Sequence, residues 1–337
     1  MFNFVFLEAF LIDFLKVAKI GNLAIKKTAV LAPMASVADR AYRLMCKKFG
    51  AGLVFSEMIS VKGICYNLKK TENLLKITKE ERPMALQLFG EDPKYFELAL
   101  DVVLKHQPDI IDINMGCPVR KVVRNGAGSS LMKDVKLAEK IASVVVKNSN
   151  VPVSVKIRKG WDDENVNAIE FAKAMQNCGV SAITVHGRTK EQMFSGKADW
   201  DIVEKIKKSV NIPIILSGDV KSVKDVKAAY EKTNADLVMI GRATFGRPWI
   251  FEQIIDFLST GKFKENVSVE FVLDVLLEHV KKIFEYEEYD VAVRKTRSVA
   301  MRYLTGFKNA AKFRKMCCSF SSFEDILKFI DFVRLKH

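Results

Sequence analysis

Along the chain, short apolar runs rich in β-branched residues end in polar or Gly-bearing turns. Each is followed by a stretch whose apolar positions recur at helical spacing, the signature of βα units rather than of an antiparallel sandwich. The runs are Ala29 to Met34, Leu53 to Ile59, Pro83 to Phe89, Ile110 to Asn114, Val153 to Arg158, Ala182 to His186, Ile214 to Ser217 and Leu237 to Ile240. Consecutive starts lie roughly 23 to 43 residues apart, room for a strand, a crossover helix and a return. The runs are apolar throughout, as expected where helices cover one face and packed side chains fill the other. Eight such units predict an α/β fold, a (β/α)8 TIM barrel. A doubly wound open sheet would need a Gly-rich first βα turn, but that turn reads Ala32-Pro33-Met34-Ala35-Ser36.

Past about Phe251 the strand signal stops, and helical patterns over Val269 to Tyr286 and Val291 to Tyr303 predict a small all-helical C-terminal domain. The organisation read from the pattern is an apolar N-terminal extension over 1–18, a barrel over 19–250 and a helical domain over 251–337. From Phe2 to Leu15 only Asn3, Glu8 and Asp13 are polar, which predicts an extra helix. Fourteen residues are too few to span a bilayer, no basic leader precedes them, and acids stand where a membrane-surface helix wants Lys or Arg. Neither a targeting signal nor stable membrane association is expected.

Composition narrows the partners. The chain has 337 residues, 49% hydrophobic and 28% charged, which excludes disordered and low-complexity classes. Its 54 Lys and Arg against 40 Asp and Glu leave a net charge of +14, favouring polyanionic partners such as nucleic acid or an anionic membrane without choosing between them. Six scattered cysteines form no C-x-x-C pair and have no His cluster, so neither a disulfide framework nor a metal site is expected, and a reducing cytoplasm is the default. Between Arg294 and Lys315 eight basic residues occur without an acid, interleaved with Tyr303, Phe307 and Phe313, a candidate nucleic-acid face or a solvated helix surface.

In such barrels the chemistry sits at the C-terminal ends of the strands. The fourth run ends Asn114-Met115-Gly116-Cys117-Pro118, putting an amide and a thiol on that face. A cysteine is mostly protonated at neutral pH, so Cys117 can serve as a general acid or simply be a packed thiol. Lys156 and Arg158 lie on one side of the fifth run, and two cations at a barrel mouth call for an anionic or electron-rich ligand, such as a reduced flavin, or for a carboxylate such as Asp112. Gln87 suits the edge of a pyrimidine-like ring, and the sixth run ends His186-Gly187-Arg188. The last two runs end Ser217-Gly218-Asp219 and Gly241-Arg242, where this fold commonly builds a phosphate site. A phosphate site, a cation and an amide around one ring describe an FMN-binding barrel.

These motifs, with Ala32-Pro33-Met34, Gly241-Arg242-Ala243, Pro248-Trp249, Arg294-Lys295, Tyr303-Leu304-Thr305-Gly306 and Phe313-Arg314, resemble the tRNA-dihydrouridine synthases, most closely the bacterial B-type branch, over roughly Ile20 to Phe320. The resemblance implies that Pro33, Met34, Ala35, Gln87, Lys156, His186, Ser217, Gly218, Asp219, Gly241 and Arg242 hold FMN and that Cys117 is the acid. Asn114, Lys156 and Arg158 would meet the target uracil, and Arg294, Lys295 and Arg302 the tRNA. The implied reaction reduces uridines of the tRNA D-loop to 5,6-dihydrouridine, with NADPH reducing FMN, hydride passing from flavin N5 to uracil C6, and Cys117 protonating C5. Tolerated partners would be tRNA and no metal, and the enzyme would be a cytoplasmic monomer. Two departures stand out: Ser217 where the family usually has Asn, and Thr296 where a His is frequent. The alternative, a flavin barrel acting on a free small molecule in the manner of dihydroorotate dehydrogenase, explains the ring-binding residues but not the basic helices.

Overall fold

In the computed structural model, which describes residues 17–336, eight parallel strands form a barrel ringed by helices. The strands are β3 (Val30–Leu31), β4 (Val54–Ser60), β5 (Met84–Phe89), β6 (Ile110–Met115), β7 (Val153–Gly160), β8 (Ala182–Thr189), β9 (Ile214–Ser217) and β10 (Leu237–Ile240), ordered β3-β10-β9-β8-β7-β6-β5-β4. The two ends of this order meet through backbone bonds from Gly52 N to Ala29 O and from Leu31 N to Leu53 O, both 2.9 Å. The doubly wound alternative is thereby excluded. The first strand is shorter than the run Ala29 to Met34 predicted, because Pro33 has no N–H to continue the ladder.

Two further strands, β1 (Val17–Ile20) and β2 (Leu23–Lys26), form an antiparallel hairpin that the sequence reading did not foresee. Its Ala18, Ile20 and Ile25 join Leu53, Phe55, Ile110, Ile215 and Leu237 in one apolar cluster, closing the floor of the barrel. The turn residue Gly21 has φ +58°, and a Cβ there would lie 2.6 Å from Pro152 Cγ. The helix expected over the N-terminal extension lies outside the described residues.

Capping fixes where each strand-to-helix loop ends. Asp39, Asp92, Asp134, Asp199 and Ser222 each accept a backbone N–H from the first turn of the helix that follows, satisfying donors a helix start leaves open. The helix Ile250–Thr260, assigned from the sequence to the C-terminal domain, packs beside Val223–Thr233, and its Ile255 reaches Gly50, so it completes the ring of eight barrel helices. Beyond it, Val269–Tyr286, Tyr289–Tyr303, Ala310–Cys317 and Phe323–Arg334 share one apolar cluster with the barrel shell. Gly246, at φ +63°, lies against the end of Tyr289–Tyr303, where an added Cβ would come within 2.4 Å of Arg302 carbonyl atoms.

Since that contact is backbone against backbone in a left-handed conformation, neither side can yield cheaply. Gly246→Ala is expected to lower stability by about 3 kcal/mol, read as a lower denaturant midpoint; an unchanged midpoint contradicts the packing.

Candidate active site

Because side chains alternate across a strand, the lumen has layers set by register. Gln87 pairs with Asp112, Asp112 with Ser154, Asn114 with Lys156, Lys156 with Thr184, and Arg158 and Ser217 with His186. Above the apolar floor these residues form a polar layer. Asp112, fully buried, accepts from Gln87 Nε2 at 2.6 Å and Ser154 Oγ at 2.5 Å. Gln87 Oε1 accepts from Asn114 Nδ2 at 2.9 Å, and Asn114 Oδ1 accepts the N–H groups of Gly116 at 3.2 Å and Cys117 at 2.8 Å. A chain of hydrogen bonds thus runs from the lumen to the cysteine loop. A bulge in β4 puts Met58 opposite Gln87 and leaves Ser56 Oγ accepting Gln87 N at 2.8 Å. The Glu57 carboxylate accepts the N–H of Ser36, holding the loop that carries Pro33, Met34 and Ala35.

A cavity of about 780 Å³ opens above this layer, and every barrel residue that the resemblance assigns to flavin, acid or uracil lines it. Pro33, Met34, Ala35, Asn114, Cys117, Ser217, Gly218, Gly241 and Arg242 all line it, and the Met34 sulfur lies 3.5 Å from where a Cβ on Gly241 would sit. Lys156, half-buried, has no ion pair or hydrogen bond among the described residues; Asp112 lies in its field but not at pairing distance. Burial and the neighbouring Arg158 bring Lys156 down to about 8, against the pull of Asp112 and Cys117. Burial raises Asp112 to about 6, with its Gln87 and Ser154 bonds and Lys156 pulling it down. His186 is held well below its ordinary value by burial and by four surrounding cations, so the ring is neutral, and its Nε2 has no partner. For Cys117 burial raises the thiol, and Val119 N–H, Arg158 and Lys156 pull the other way.

Other predicted residues have structural partners as well as a place on the cavity wall. Arg158 donates from Nε to Gly116 O at 2.8 Å and from Nη1 to Thr189 O and Met193 O at 2.7 and 3.0 Å, leaving Nη2. Asp219, at φ +54°, is gripped by Arg188 Nη2 at 2.9 and 2.7 Å and by Ala198 N–H at 2.7 Å. Gly241 O accepts both Thr244 N and Thr244 Oγ1, while Thr244 O accepts the hydroxyl of Tyr42.

Of the helical residues, Arg302 stacks its guanidinium 4.7 Å from the ring centre of Phe245, which lines the cavity, and Arg294 is exposed. Lys295 instead bridges Asp39 at 3.1 Å and Glu287 at 2.6 Å. The interleaved aromatics are not a stacking face: Tyr303 and Phe313 are buried and Phe307 packs on the core, because their spacing puts them on the inner side of the helices. Thr296, also buried, returns its hydroxyl to Ala292 O at 2.9 Å. Arg188 was named at the end of the sixth run but given no role, and Ser154, Ser56 and Phe194 were missed; for the two serines the signal was a polar residue inside an apolar strand on the lumen parity. Among the described residues no group of His, Cys, Asp or Glu could hold a metal, and no helix is long and apolar enough to cross a membrane.

A probable tRNA-dihydrouridine synthase from Rickettsia bellii is 40% identical over 297 residues, 88% of this chain and 91% of that protein. The tRNA-dihydrouridine synthase B of Vibrio vulnificus is 38% identical over 88% of this chain and 92% of its own. Among solved structures, an old yellow enzyme homologue from Zymomonas mobilis aligns with a TM-score of 0.54 at 15% identity, covering 77% of this chain and 96% of its own, and shares the fold. The dihydrouridine synthase family description matches residues 30–334, the barrel and the helices beyond it, and the chain belongs to that family.

Proposed function

We propose that the protein is a tRNA-dihydrouridine synthase that uses FMN, reduced by NADPH, to saturate the C5–C6 bond of uridines in the tRNA D-loop. The observation that carries this reading is Cys117, a thiol kept protonated by burial and oriented through Asn114 at the rim of a cavity whose wall holds the uncompensated Lys156.

The lining fits a flavin mononucleotide. Two buried polar atoms without a partner among the described residues, His186 Nε2 and Arg188 Nη1, belong to residues that line the same cavity as Lys156, where the electron-rich edge of a flavin ring would satisfy them. Gly218 and Gly241 leave room that side chains would fill; a Cβ on Gly218 would sit 2.9 Å from Ala198 Cβ and 3.3 Å from His186 Nε2. Pro33, Met34, Ala35, Gln87, Lys156, His186, Ser217, Gly218, Gly241 and Arg242 would hold the cofactor, with Asp219 shaping their loop. Ser217 in place of the usual Asn keeps a hydroxyl there. When bound, reduced FMN supplies the hydride for uracil C6.

The protein's own groups do the rest. Cys117 holds a proton at Sγ and releases it to C5, quenching the enolate-like charge that hydride addition leaves. Lys156 stabilises negative charge beside the ring, and Asn114 fixes the Cys117 backbone. The target uridine leaves the tRNA stack to enter the cavity, and Arg294 and Arg302 hold phosphates.

The deciding experiment incubates purified protein with FMN, NADPH and unmodified tRNA without oxygen and maps dihydrouridine. Formation at defined D-loop positions is expected, and no product from flavin-loaded, NADPH-reduced protein would refute the reading. In the same assay Cys117→Ala should keep its flavin and slow product formation about 10²- to 10⁴-fold.

Lys156 sets the pH response of cofactor binding. An anion raises a lysine that the protein alone holds at about 8, so affinity is full below that pH and falls on the order of tenfold per unit above it. Flavin fluorescence quenching on apoprotein should show this slope from pH 8 upwards and its loss in Lys156→Met.

Arg294→Ala with Arg302→Ala should weaken tRNA binding and reduce its log–log salt slope by about 2, while NADPH-driven flavin reduction stays unchanged. A flat salt response in the wild type would instead indicate a small-molecule substrate.

A further inference from the structure

The segment 189–196 after β8 is held by two nearly fully buried guanidinium groups, Arg158 at 3% and Arg188 at 2% exposure. Arg158 Nη1 donates to the carbonyls of Thr189 and Met193, and Arg188 to those of Ser195 at 2.9 Å and Gly196 at 2.7 Å. Gln192 closes the turn, its Oε1 accepting Thr189 N at 2.8 Å, and Met193 takes φ +47° without being glycine. So much bracing on a surface loop fixes the direction of what it carries. Its apex presents Phe194, 52% exposed, and Met193, 45% exposed, at the mouth of the cavity. The Phe194 ring has Arg242 at 4.9 Å and Arg158 at 5.9 Å from its centre.

A large ring left half in water on a preorganised loop does nothing for the fold. With guanidinium groups beside it, it offers a flat apolar face next to positive charge, the pairing that receives a base and its phosphate. We propose that Phe194 is the stacking platform for an RNA nucleobase adjacent to the uridine that enters the cavity. This rests on the functional reading above. Unlike the phosphate contacts of the helices, it acts at the barrel mouth and on a base plane, so it helps keep the target nucleotide extruded.

The test separates two half-reactions in flavin-loaded enzyme carrying Phe194→Ala, Phe194→Leu or Phe194→Trp. NADPH-driven bleaching of the flavin absorbance reads the first, and single-turnover dihydrouridine formation on unmodified tRNA reads the second. Phe194→Ala should lose about ten- to hundredfold in the tRNA half-reaction, the size of one lost base stack. Phe194→Trp should restore it and Phe194→Leu should not, and all three should be reduced by NADPH within about twofold of the wild type. Full activity in Phe194→Leu would make the ring an apolar filler and overturn the proposal. So would slowed flavin reduction in Phe194→Ala, which would give the ring to the reductant, or an unaffected tRNA step. A wild type that forms no dihydrouridine in this assay refutes the functional reading itself, an outcome distinct from a working wild type matched by its variants.

Discussion

Asp112 is the buried charge around which the functional end of the barrel is arranged. A carboxylate held at about 6 in the fold, above its ordinary unfolded value, costs about 3 kcal/mol at neutral pH, where it would be ionised in water. The cost would be larger without a set of bonds that only one register allows: Ser154 and Gln87 on the neighbouring strands donate to it. Gln87, so oriented, turns its oxygen to Asn114, and Asn114 in turn holds the Cys117 amide. A slip of one residue in β6 would turn the whole set away from the lumen. The Cys117 thiol is therefore aimed by a carboxylate it never touches.

The helices beyond the barrel are tied to the same end of it. Lys295 joins the cap residue Asp39 to Glu287, while Tyr42 reaches from the first barrel helix to Thr244 in the turn that follows Gly241. His279 and Tyr303 pack around Tyr42 and Trp249 with ring centres 5.4 to 6.1 Å apart. The basic helices and the Gly241 turn thus rest on shared side chains, and a shift in one displaces the other. For this reason a lysine that reads in the sequence as an RNA contact serves as a link between barrel and helices.

How much was legible follows from what each feature depends on. Strands such as Ile214–Ser217 and Leu237–Ile240 were readable to the residue because a buried parallel strand is apolar throughout and its ends are polar. The cavity lining was readable because the fold puts loops after the strands on one face. The floor hairpin was not, since four-residue strands beside an apolar extension carry too little periodicity. Nor could the sequence separate roles within the basic stretch: Arg302 and Lys295 look alike until Asp39, far away in the chain, is seen to claim one of them. The bracing of Phe194 depends on carbonyl groups, which every residue has and no sequence displays.

Register also explains why Lys156 and Asp112 do not neutralise each other. Lys156 stands opposite Asn114 and Thr184, one layer above the carboxylate, close enough for each to shift the other and too far to pair. Held down to about 8, Lys156 opposes folding by about 3 kcal/mol at neutral pH, and that opposition fades as pH rises through this value. An arginine in the same place would spread its charge over carbonyls, as Arg158 does. A lysine kept without a partner among the described residues concentrates its charge at one point on the cavity wall beside Cys117. The stability forgone in the lumen is thus what an anion brought to Lys156 would recover.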